Sequence, residues 1–133
     1  MTDLPELYFR VRENGATVFR VDTENRNRRI EMEQVAVINT NRGDFKTQGD
    51  QTLTPAEETV ITDWIEARLA VLAARDVDDI HRAVDHLNRT THWAQAKATD
   101  AQLEDVTDPL LLAMHDLRSV LVRKKADRLS KTR

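Results

Sequence analysis

The chain contains no cysteine. That one absence excludes disulfides, thiolate-held metals, iron–sulfur clusters and a cysteine nucleophile. It also suits a reducing compartment, so a cytoplasmic address is expected. Serine is almost as scarce: Ser119 and Ser130 are the only two, and neither sits in the Gly-x-Ser-x-Gly turn that exposes a hydrolase nucleophile. The three glycines, Gly15, Gly43 and Gly49, are too scattered for a Walker loop or a Gly-x-Gly-x-x-Gly fingerprint. Few aromatic side chains are present to stack on a sugar. No apolar run approaches the roughly 18 residues that a bilayer span requires. Met1 to Val11 carries acids ahead of its apolar residues and no cleavage pattern, so no signal peptide is expected. No cofactor and no membrane are expected, and the chain does not read as an enzyme.

What is present is charge and pattern. The 133 residues fit one domain, 1–133, with a single core. The net charge of −3 is unevenly spread: residues 51–108 hold 5 Lys/Arg against 12 Asp/Glu, and residues 109–133 hold 7 against 2. The acidic middle can neutralise the basic end within the fold, or the basic end can meet an acidic partner. All the glycines fall before Asp50. Glycine marks turns and is costly inside helices, so 1–50 is expected as strands and 51–133 as helices. The expected class is α+β: an antiparallel β-meander of three to four strands followed by three to four helices.

Asn14-Gly15 between two alternating runs is a hairpin signal. A two-residue Asn14-Gly15 loop sets Phe9 opposite Arg20, mixing charge with apolar groups. A three-residue loop, Glu13-Asn14-Gly15, places Leu7, Phe9, Val11, Thr17, Phe19 and Val21 on one face, with Gly15 at positive φ. That register is preferred, because a one-residue slip exposes the apolar set. A polar turn, Thr23 to Arg28, leads to a third strand over about 29–39. Its expected inner face is Ile30, Met32, Ala36 and Ile38, and a bulge is allowed near Gln34. A turn at Asn41-Arg42-Gly43-Asp44 precedes a short fourth strand over 45–48.

The helices are marked by their caps. Thr54-Pro55-Ala56-Glu57 is a capping box with proline at the first helical position. Ile61, Trp64, Ile65, Leu69 and Leu72 follow at helical spacing, and this helix is expected to end near Arg75. Asp76 then caps a second, with the stripe Val77, Ile80, Val84 and Leu87. Thr99-Asp100-Ala101-Gln102 is another capping box, opening a short piece. Asp108-Pro109 starts the last helix, which runs to about Ser130.

Three constellations bear on function. His81 lies between Asp78 and Asp85 on one helix face, with His115-Asp116 elsewhere, but the paired Glu-x-x-His and the His-Glu-x-x-His patterns are missing. No metal is expected there. The expected hairpin register projects Tyr8, Arg10, Arg12 and Arg20 together, with Arg29 on the next strand. Arginine and tyrosine suit phosphate and base contacts, while Glu31 and Glu33 opposite suit ordinary cross-strand pairs. The last helix is apolar beyond one stripe and ends in a cationic cluster. Partner contacts are therefore expected from Leu112, His115, Val122, Arg123, Lys124, Lys125 and Arg128. The functional expectation is a protein–protein interaction module, an accessory, assembly or regulatory subunit binding a protein partner or a second copy. The alternative is a nucleic-acid-binding regulator using the hairpin arginines or the basic tail.

Overall fold

The computed structural model describes residues 6–22 and 29–132. The turn expected at Thr23 to Arg28 lies outside the described residues. The chain divides into two compact units, Met1–Asp79 and Ile80–Arg133. Four strands, β1 (Leu7–Arg12), β2 (Gly15–Asp22), β3 (Glu31–Asn39) and β4 (Asp44–Thr47), are followed by two helices, α1 (Pro55–Ala96) and α2 (Asp100–Lys131). The strands form an antiparallel meander in the order β1-β2-β3-β4. The α+β class holds, with two helices among the described residues in place of three to four.

The hairpin register corrects the sequence reading. Arg12 pairs with Gly15 and Phe9 with Val18, so the loop is two residues, Glu13-Asn14. Phe9 and Phe19 consequently lie on opposite faces. Leu7, Phe9, Ala16, Val18 and Arg20 face α1, and Phe9 stacks on Trp64 with ring centroids 4.8 Å apart. The rejected feature, an arginine on the apolar face, is real: α1 brings Glu57 to meet Arg20. Gly15 does not adopt positive φ, which is found instead at Gly43 and Gly49. It is required for another reason, since a Cβ there would be driven into the backbone carbonyl of Ile38 on β3.

The bulge is present at Val35. Val18 pairs with Ala36 and Phe19 with Gln34, leaving Val35 as the extra residue. Val35 and Ala36 are therefore both buried although adjacent. The bulge also reverses the strand's faces, so Ile30 and Met32 are exposed where inward positions were expected. Fully buried Val18 and Val35 pack with Ile61 of α1, and Leu53, Ile65 and Ile38 complete the core.

Thr54 and Glu57 form the expected capping box. The Glu57 N–H donates to Thr54 Oγ1 (3.1 Å), and the Thr54 N–H donates to Glu57 Oε1 (3.0 Å). The expected break at Arg75-Asp76 is absent, and α1 runs unbroken for 42 residues. The apolar stripe changes there, but the helix does not. Ile61, Ile65 and Leu72 lie on one side, and Val77, Ile80, Val84 and Leu87 lie roughly 100° around the axis at 100° per residue. No glycine or proline interrupts the segment, so nothing stops propagation. Thr90 and Thr91 are accommodated because their hydroxyls donate to the carbonyls of His86 and Leu87.

Thr99 and Gln102 form the second capping box, at the start of α2. Here too the expected division fails, because Pro109 is inside the helix. Proline removes one N–H and crowds the preceding turn, at about 3 kcal/mol. The strong helix formers after it, Leu110-Leu111-Leu112-Ala113-Met114, carry α2 onward.

Candidate interaction surface

The two units dispose of their apolar residues differently. In Met1–Asp79 the core residues are covered by the sheet and the first half of α1. In α2 no residue is buried. Leu103, Val106, Leu110, Met114, Leu117 and Leu121 recur at intervals of three or four, forming one stripe along the helix. The turn between the helices covers only its beginning. Leu103 and Val106 are half-buried there, as is Trp93 on α1. A groove of about 540 Å³, lined chiefly by Trp93, Ala94, Leu103, Val106 and Leu110, marks this junction.

Away from the turn, exposure rises on both helices. On α1 it increases from 39% at Leu87 to 64% at Ile80, and on α2 from 36% at Leu110 to 56% at Leu117. Both stripes are therefore uncovered over most of their length. Exposed apolar area of this extent is unfavourable in water at about 25 cal/mol per Å², and contiguous patches of this kind mark association surfaces.

The sequence-selected partner residues all fall on α2, because the helix is continuous, but they do not share one side. Leu112, 67% exposed, lies across the helix from the stripe. Val122 lies on its flank. Lys124 and Arg128 prolong the stripe after Leu121, Lys125 stands beside it, and Arg123 lies across the helix close to the line of Leu112. His115 is exposed, with Nδ1 3.5 Å from Asp116 Oδ1. Among the described residues none of Arg123, Lys124, Lys125 and Arg128 is ion-paired within the chain.

The expected arginine face is divided. Arg10 lies over the Phe19 ring, 4.4 Å from its centroid, and Arg12 Nε donates to Thr17 Oγ1 (2.7 Å). With Tyr8 they cover the outer side of the sheet. Arg20 lies on the opposite face and cannot project with them. Arg29 is exposed ahead of β3.

Arg20 instead makes a two-bond ion pair with Glu57, which sequence reasoning missed. Its Nε and a terminal nitrogen donate to the two oxygens of Glu57, at 2.9 and 3.0 Å. The guanidinium, helped by the Thr54 N–H and opposed by burial, holds the Glu57 carboxyl down at about 2. Arg20 also reaches Glu33 at 3.5 Å. The available signal was an arginine in phase with apolar neighbours, since a charge turned inward requires a partner.

A groove of about 610 Å³ between β1 and α1 is lined by Leu7, Phe9, Val60 and Trp64 together with Thr54 and Glu57. Those two polar side chains are already committed to the helix cap and the Arg20 ion pair. His81, His86 and His92 are exposed on α1. No cluster of three or more His, Asp or Glu able to hold a metal occurs among the described residues. No helix among them is long and apolar enough to cross a membrane. Compared with protein-family models, with curated proteins and with solved structures, the chain matches none of them.

Proposed function

We propose that this protein is a non-enzymatic interaction module, a cytoplasmic accessory, assembly or regulatory subunit that contacts a protein partner through α2. The observation that carries the reading is a 32-residue helix with no buried residue and a continuous apolar stripe. A helix of this kind draws little stability from its own sequence and is normally sustained by packing of its apolar face. The apolar stripe followed by Lys124 and Arg128 has the layout of a contact centre with a charged rim.

The test is affinity capture with the full tagged chain after nuclease treatment, set beside Leu117→Asp. A protein retained by the wild-type chain and lost with the variant is the expected result, whether that protein is a second copy or another chain. Retention unchanged by Leu117→Asp overturns the reading. Association abolished by nuclease favours the alternative of nucleic-acid binding, for which the exposed Arg123, Lys124, Lys125 and Arg128 are the supporting observation.

A further inference from the structure

We infer that the partner of α2 is α2 of a second copy of this chain, packed antiparallel about a two-fold axis level with Leu112. The inference rests on the proposed reading of α2 as the contact surface and adds the identity and direction of what it contacts.

Charge selects the second copy and its direction. The first part of α2 carries Asp100, Glu104, Asp105 and Asp108 with no Lys or Arg, whereas residues 118–131 carry six Lys/Arg against Asp127 alone. Parallel pairing stacks like charge on like along the whole seam. Antiparallel pairing sets each acidic start against a basic end, so one helix supplies both halves of a self-complementary surface, as a two-fold interface requires.

The apolar spacing fixes the register. With Leu103 opposite Leu121 of the second copy, Leu110 meets Met114 and Thr107 meets Leu117, and the same three layers recur beyond the axis. In that register Asp100 falls opposite Lys124 and Glu104 beside Arg118, while Val106 lies beside Val120. None of Asp100, Glu104, Arg118 and Lys124 is ion-paired within the chain among the described residues, so no intrachain pair must be broken. Two-fold symmetry also brings the part of α2 nearest its own turn against the most exposed part of its mate.

The cysteine-free sequence allows a direct test with single cysteines in the full chain. Light scattering should give twice the 15.3 kDa of one chain for the wild type and the single mass for Leu117→Asp, with the sheet intact by circular dichroism. Near the axis, Ala113→Cys should cross-link to itself through a short bismaleimide. Val106→Cys and Val120→Cys should each fail alone, because like positions lie about 20 Å apart along the axis at 1.5 Å per residue, yet cross-link when the two variants are mixed. Self-cross-linking at all three positions means parallel pairing and overturns the inference. A single-chain mass for the wild type also overturns it, while the proposed interaction module is still judged by its own capture experiment.

Discussion

Met1–Asp79 and Ile80–Arg133 follow the same helical and strand rules but end in different states. In the first, one apolar core is closed within the unit: β1 and β2 meet α1, and the bulge at Val35 adds a second inward side chain. In the second, α2 is well capped and regular yet covers almost nothing. Local signals suffice to form a helix, but only packing gives its apolar face a place to go. A substitution in the first unit should therefore register in folding, whereas one on the stripe of α2 tests the proposed association.

The largest effect is expected from Gly15→Val, which forces side-chain atoms into the backbone of β3. A loss of more than about 4 kcal/mol is expected, enough to leave little folded sheet in urea titration. Unchanged unfolding would mean that the close approach to Ile38 is not rigid. Ile61→Ala empties the centre of the same core and should cost about 3 kcal/mol by the same measurement.

Glu57→Gln comes next, at about 2 kcal/mol, because it leaves Arg20 on the apolar face with only the longer contact to Glu33 as countercharge. The Glu57 carboxyl is depressed from 4.5 to about 2, so the ion pair contributes fully above about pH 4.5. The contribution falls away as the pH drops from there towards 2. Wild-type stability should decline across that window, and the Glu57→Gln profile should be flatter. Parallel profiles would detach the acid response from this pair.

Thr54→Ala and Thr99→Ala each remove an N-cap and should cost about 1 kcal/mol. The first should appear in the urea midpoint of the sheet, the second in the helicity of α2, so crossed readouts would blur the contrast between the units. The smallest effect is expected from Leu112→Asp. Its side chain is already in water on the side of α2 away from the stripe, and a stability change within about 0.5 kcal/mol is expected. A large loss would show that this side is covered.

The legible parts of this molecule were those fixed by neighbours in sequence. Both capping boxes and the turn through Gly43 depend on residues only a few positions apart. The hairpin register was not legible, because it turns on Glu57, 37 positions beyond Arg20. Parity alone treats an inward arginine as an error. The helix count failed for a related reason: a stripe that moves around α1 resembles two helices, and Pro109 resembles a start. Neither pattern distinguishes a change of face from a change of element. The excess apolar surface of the last helix could be read from composition, whereas the arginine face dissolved once Arg20 was placed on the other side of the sheet.

The extra residue at Val35 gives β3 a phase slip. On the α1-facing side the strand's rhythm is Ile38, Ala36, then Val35 out of turn, and afterwards Glu33 and Glu31. An insertion elsewhere in the strand would invert every position beyond it, and so would loss of the bulge, with Val35 drawn into regular pairing opposite Phe19. Ile30 and Met32 would then turn towards α1, and Glu33 would leave the side of the sheet where it now reaches Arg20. The irregular residue is thus what keeps one strand in time with two different neighbours, the apolar core at one end and the charged cluster at the other.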